Sequence, residues 1–212
     1  MICVSIQEFS AEECLNSLRG VDFAEIRLDK MAADMDGIKK IFSRHPRLIA
    51  TCRPGTMADE KRLELLSKGI EAGAAFIDVE VDSEEEFKNS IIEKARAKGC
   101  RVIVSYHNFR MTPQRSELEH IVNLCFDSGA DMAKIACKVR TEKDNALLLG
   151  LLQDQRLLVI VGLGEKGKIT RLVAPLLGSP FTYASHAKGK ETAEGQLDKK
   201  SLERALRNLR NV

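Results

Sequence analysis

An excess of either charge is missing from this chain. Lys and Arg number 33 against 31 Asp and Glu, a net charge of +2 over 212 residues. Nucleic acid and anionic membrane surfaces select a marked basic surplus, so neither is an expected partner. Long apolar runs are missing too. No stretch approaches the roughly 20 residues of a membrane-spanning helix, and the apolar run in MICVSIQEFSAEE, with no basic start, is too short for a signal peptide and reads as a first strand. Cys3, Cys14, Cys52, Cys100, Cys125 and Cys137 include no C-x-x-C pair and none at zinc-finger spacing from a histidine. They read as free thiols, several of them buried, in a reducing cytoplasm, with no metal site implied. No linker, low-complexity segment or long loop divides the chain, so residues 1–212 are expected to form a single domain.

What is present is a repeated alternation. Short apolar, β-branched runs recur: ICVSI, FAEIRL, RLIATC, FIDVEV, RVIVSY, MAKIAC, RLLVIVGL and FTYAS. Between them lie charged segments of helical period such as ADEKRLELLSKGIEAG and SEEEFKNSIIEKARAKG. Ser10 with Gly20, Ser83 with Gly99 and Ser116 with Gly129 sit where N-caps and helix stops belong. Strand alternating with helix implies βαβ units and a parallel sheet. Eight such units are the number that closes an α/β fold of the (β/α)8 TIM barrel class, and 212 residues is near its lower size limit.

A barrel gathers its active site at the C-terminal ends of the strands. Polar residues lie in or just after nearly every strand: Ser5, Glu25, Arg27, Asp29, Arg53, Asp78, Glu80, His107 and Lys134, then Arg171 and Gln196 after the last two. Together they suit a small, polyhydroxylated anionic substrate. Lys134 stands among apolar neighbours in GADMAKIACKVR. A lysine can snorkel to solvent from such a place, or desolvation and neighbouring cations can lower its pKa and make it a nucleophile that forms a Schiff base with a ketone. The iminium so formed is an electron sink, and an imidazole can remove the proton on the adjacent carbon. His107 ends the strand before that of Lys134 and fits the role, whereas His45 and His120 fall in or near surface helices and take none.

AEIRLD, ATCR, SYHNF, GADMAKIA, GKITR and TAEGQ occur in order from Ala24 to Gln196. In this combination the chain resembles the type I 3-dehydroquinate dehydratases, the Schiff-base-forming enzymes of the shikimate pathway. The resemblance implies that Lys134 forms the imine with the C3 ketone of 3-dehydroquinate. It implies that His107 moves the C2 proton to the departing C1 hydroxyl, giving 3-dehydroshikimate by syn elimination of water. Arg171 is implied to fork onto the substrate carboxylate with Gln196 beside it. Glu25 and Arg53 would bind ring hydroxyls, Arg27 would fix Glu25 or touch substrate, and Ser5 and Thr192 would line the pocket. The resemblance requires no cofactor, places the enzyme in the cytoplasm and carries a homodimer as a family-level expectation. It also makes residues 186–196 a mobile lid.

Two positions depart from the family. Met57 stands where a glutamate usually orients the histidine, leaving Asp59, Glu60, Asp78 or Glu80 as substitutes. Glu194 stands where proline is common, and Thr192 where serine is often seen. Two other readings keep part of the pattern: a class I aldolase-like lyase using Lys134 on another carbonyl substrate, and a non-catalytic sugar-acid-binding barrel. VGLGEKGKIT contains G-x-G-x-x-G, but it follows the seventh strand, and Ile169 stands where a P-loop needs Ser or Thr. Its glycines are expected to turn the seventh loop tightly and aim Arg171 inward.

Overall fold

The computed structural model describes residues 1–32 and 34–210. Among the described residues eight strands alternate with eight α-helices: β1 (Ile2–Ile6), α1 (Ala11–Ser17), β2 (Ala24–Arg27), α2 (Met35–Ser43), β3 (Leu48–Thr51), α3 (Asp59–Glu71), β4 (Phe76–Glu80) and α4 (Glu85–Ala97). There follow β5 (Arg101–Asn108), α5 (Arg115–Asp127), β6 (Met132–Lys138), α6 (Glu142–Gly150), β7 (Leu158–Leu163), α7 (Lys168–Val173), β8 (Thr182–Ser185) and α8 (Lys199–Arg210). The strands form one sheet in the order β7-β6-β5-β4-β3-β2-β1-β8. Each sequence neighbour is a sheet neighbour save the pair at the ends, which is the strand order of a (β/α)8 barrel.

The apolar runs become strands buried on both faces, as parallel sheets covered by helices require; β3 and β7 are buried throughout. The helices show the complementary pattern. In α2, Ile38, Ile41 and Phe42 are buried at positions i, i+3 and i+4. Ser10 caps α1 as the sequence implies: its Oγ accepts from the Glu13 N–H, and Glu13 reaches back to the Ser10 N–H at 3.0 Å. The other two serine caps are corrected. Glu84, not Ser83, precedes α4, because the Ser83 N–H is held in a turn by the Glu80 carbonyl at 3.1 Å. Ser116 lies inside the first turn of α5, which starts one residue earlier with Leu118 N–H donating to Gln114 O.

The chain divides into two compact units, residues 5–104 with 128–131, and residues 1–4, 105–127 and 132–212. In the first, β3 pairs in parallel with β2 and with β4, Glu25 opposite Ile49 and Thr51 opposite Asp78. Phe76 packs on Phe23 at 5.8 Å, and the Arg101 guanidinium lies 4.2 Å over the Phe76 ring. In the second, β6 pairs with β7 in parallel, placing Lys134 opposite Val159, and α8 buries Leu202 and Leu206 against Ala184, Ile2, Leu172 and Leu197. No helix among the described residues is long and apolar enough to cross a membrane.

Candidate active site

In the first unit, the ends of β1 to β4 build a polar cluster. Glu25, on β2, is 4% exposed. Ser5 Oγ donates to its Oε2 at 2.6 Å and Thr51 Oγ1 to its Oε1 at 3.1 Å. Arg53, just past β3, is caged by carboxylates: Asp78 Oδ1 at 3.2 Å, Glu80 as a direct ion pair, and Glu25 at 4.0 Å. Arg27 forks onto Asp29 through Nε and Nη2 at 2.9 and 2.8 Å, and Asp29 also accepts from the Arg53 N–H at 3.2 Å. Burial opposes the charge on both, yet these contacts outweigh it: Arg27 is held above the ordinary arginine value and Asp29 below the usual carboxylate range.

Four carboxylates thus face two guanidiniums here. Such a cluster accepts hydrogen bonds from hydroxyl groups and repels an anion. The cation-rich character implied by the sequence is not found in this half of the polar residues. Of the carboxylates considered as substitutes at Met57, Asp59 is held by Arg62 at 2.5 Å and Glu60 is exposed. Met57 itself accepts a weak bond from the Cys52 thiol at 3.9 Å.

The second unit carries the nucleophile candidate. Lys134 is the third residue of β6 and only 5% exposed, so it does not snorkel to an edge. Its Nζ lies 4.3 Å over the ring of Tyr183 on β8. His107 is half-buried near the end of β5, the strand beside β6, with its ring stacked 6.0 Å from Phe109. Arg171, on α7, has no solvent exposure. Its Nη1 donates to the Tyr183 carbonyl at 3.3 Å, while Nε and Nη2 have no partner among the described residues. Burial pushes this guanidinium down to about 10. Nε and Nη2 form one edge of the planar group, the edge that grips a carboxylate through two parallel bonds.

The turn from β7 to α7 aims Arg171 as expected. A Cβ on Gly162 would lie 2.9 Å from the Gly167 backbone, so only glycine allows this crossing of the chain. Thr170 Oγ1 then ties the turn, accepting from Gly162 N–H at 2.7 Å and donating to Gly167 O at 2.8 Å. The segment after β8 packs on this turn. Glu194 O accepts from the Gly164 N–H at 3.1 Å, its carboxylate pairs with Lys138 at the end of β6, and Gly195, at φ +75°, sits directly on Gly164. Thr192 donates to the Gln196 Oε1 through both N–H and Oγ1, at 2.7 and 3.1 Å.

Three residues escaped the sequence reading. Thr51 closes the hydrogen bonding of Glu25, Arg62 donates to the Cys52 carbonyl beside Arg53 at 3.2 Å, and Tyr183 touches both Lys134 and Arg171. The signal for Tyr183 was slight: an aromatic with a polar tip in the last strand, two residues after Phe181. All six cysteines are buried thiols, none of them in a disulfide. Burial raises Cys14, Cys52, Cys100 and Cys137 to about 12, which keeps them as inert thiols. Among the described residues no group of His, Cys, Asp and Glu is arranged to hold a metal ion.

A family model described as Type I 3-dehydroquinase matches residues 2–211. The 3-dehydroquinate dehydratase of Methanocaldococcus jannaschii is 33% identical over 220 residues, spanning 98% of this chain and 98% of its own. That of Methanothermobacter thermautotrophicus is 35% identical over 210 residues, spanning 93% and 91%. Among solved structures, the type I 3-dehydroquinate dehydratase of Clostridium difficile superposes with a TM-score of 0.86 at 24% identity, over 99% of this chain and 92% of that one. The Aquifex aeolicus 3-dehydroquinate dehydratase superposes at 0.83, also 24% identical, over 100% of both chains. At such identity the structural likeness speaks for the (β/α)8 barrel fold alone.

Proposed function

Because the chain belongs to the type I 3-dehydroquinase family, we propose that it converts 3-dehydroquinate to 3-dehydroshikimate and water through a Schiff base on Lys134. The observation that carries this reading is Lys134 itself, a lysine buried in the interior of a strand. Neutral Nζ attacks the C3 ketone, and loss of water leaves an iminium. The iminium draws electrons from the neighbouring carbon, whose C2 proton His107 removes. His107 then returns that proton to the C1 hydroxyl as it departs on the same face, a syn elimination. Hydrolysis of the imine, again assisted by His107, frees Lys134.

Arg171 binds the substrate carboxylate through Nε and Nη2, with Gln196 beside it. Support comes from the burial of that guanidinium with two donors unpaired among the described residues, a state that favours an anion as its partner. Glu25 and Arg53 bind the ring hydroxyls. Ser5 and Thr51 orient Glu25, and Asp78 and Glu80 hold Arg53 in place. Arg27 acts through its fork to Asp29, which also fixes the Arg53 backbone. Residues 186–196 serve as the lid, bringing Thr192 and Gln196 to the substrate, and Glu194 with Lys138 latches that segment. Residues 1–212 work as one catalytic domain, in the cytoplasm and as a homodimer.

The test is borohydride reduction in the presence of 3-dehydroquinate, followed by intact and peptide mass analysis. A substrate-dependent adduct on Lys134 is expected. An adduct on another lysine would overturn the site assignment, and no adduct on folded protein would overturn the Schiff-base reading. Turnover of 3-dehydroquinate separates this reading from an aldolase-like lyase and from a non-catalytic sugar-acid-binding barrel.

A further inference from the structure

Lys134 has a neighbour that the reaction sequence above leaves without a role. Tyr183 is 4% exposed and presents its ring face to Lys134 Nζ at 4.3 Å. Phe181, two residues earlier and so on the same side of the chain, meets that ring at 5.4 Å and 71°, which fixes its plane. The main-chain carbonyl of Tyr183 accepts from Arg171 Nη1. One residue on β8 therefore touches both the amine and the guanidinium.

We infer that Tyr183 is a positioning residue for the chemistry at Lys134, its ring face holding Nζ and favouring the cationic form that this nitrogen takes as a protonated imine. The inference rests on the Schiff-base reading. In the carbinolamine formed by addition of the amine to the ketone, the nitrogen is uncharged. The carbinolamine hydroxyl then takes a proton and leaves as water, while the nitrogen lone pair becomes the second bond of C=N. The positive charge so created sits on Nζ until the proton on the adjacent carbon is removed, when the electron pair of that C–H bond turns the iminium into a neutral enamine. A ring face attracts a cation and is indifferent to a neutral amine, more so where water is excluded. The contact is therefore stronger after water loss than before it, which is the condition for an interaction to raise a rate. Arg171, tied to the same residue, places the carboxylate end of the substrate at a set distance from the nitrogen.

The experiment measures the rate of imine formation by rapid quenching into borohydride with 3-dehydroquinate, alongside kcat, KM and thermal unfolding. Tyr183→Phe keeps the ring and should retain most of the rate. Tyr183→Leu should form the imine on the order of 10-fold more slowly, with kcat falling while KM moves little. Should the leucine variant fold poorly, phenylalanines of increasing fluorination at position 183 keep the ring shape while weakening its negative face, and the rate should fall stepwise along that series. A folded Tyr183→Leu protein that traps at the wild-type rate, or a flat fluorination series, would overturn the role of Tyr183 while leaving the Schiff base intact. Absence of any Lys134 adduct in the wild type would overturn both.

Discussion

Arg171 offers a test in which stability and function move in opposite directions. Its guanidinium is fully buried with, among the described residues, a single hydrogen bond, to Tyr183 O, and burial has lowered it to about 10. At about 1.4 kcal/mol per pKa unit, the fall from the ordinary arginine value corresponds to about 3 kcal/mol of penalty for keeping the charge inside. The sign follows from linkage. Where a base has a lower pKa folded than unfolded, the unfolded chain binds the proton more readily. The penalty is complete at every pH below the folded value and is relieved only above about 10. An assay at neutral pH therefore reads all of it. Arg171→Met keeps the apolar stem, removes the charge and gives up one neutral-acceptor bond worth about 1 kcal/mol. The net gain of about 2 kcal/mol should raise the thermal midpoint of the ligand-free protein by about 4–8 °C at this chain length. The same change should lower kcat/KM for 3-dehydroquinate by about 100-fold, because a fork onto a buried carboxylate is lost. Differential scanning calorimetry with steady-state kinetics measures both. A variant that is less stable and still turns over normally would refute the argument, since the buried charge would then be structural.

Lys134→Ala should abolish both turnover and the borohydride adduct, whereas His107→Ala should keep the adduct and stall elimination; near-native turnover in the first would defeat the mechanism. Asp29→Asn should cost about 2–3 kcal/mol at neutral pH by leaving Arg27 without its charged partner. Because the Asp29 pKa is depressed on folding, its contribution is present above the ordinary carboxylate value and fades as pH falls through the folded one. The variant should accordingly show a flatter loss of stability below about pH 4 in acid titrations followed by circular dichroism. Glu194→Gln removes a surface ion pair worth under about 1 kcal/mol, so the thermal midpoint should hardly move while KM rises and proteolysis near Lys188 and Lys190 accelerates. Gly195→Ala should raise KM and speed that proteolysis more severely and also lower the thermal midpoint, since a side chain there meets the Gly164 backbone at a φ that favours glycine.

The fold was legible because its signals are local. Alternating β-branched runs and charged helical segments number eight of each kind, and the capping serine of α1 with Glu13 three residues on announces that helix by itself. Lys134 and His107 stood out as candidates for a related reason: a polar residue within or at the end of an apolar strand contrasts with its neighbourhood, and that contrast is visible within a few residues. The helix starts at Ser83 and Ser116 were misread, because which of two adjacent residues begins a helix is settled by the turn that delivers the chain, here the Glu80 carbonyl bonded to Ser83.

What only the tertiary structure decided is which distant groups meet. The glycines of VGLGEKGKIT gave grounds to expect Arg171 turned inward, but that it is fully buried and donates to the Tyr183 carbonyl on β8, behind a turn where a Cβ on Gly162 would meet the Gly167 backbone, is decided by the fold. Arg53 was expected to bind ring hydroxyls with Glu25, and only the fold shows that β4 brings Asp78 and Glu80 onto it. Tyr183 had no assigned chemistry until β8 set its ring over Lys134. Periodicity and capping are settled by contacts a few residues apart, so the chain by itself determines its elements and their order. The charge balance and the pairing of a site depend on side chains 25 to 50 positions apart, as between Arg53 and Asp78 or Lys134 and Tyr183, and only the closed packing of strands and helices specifies those.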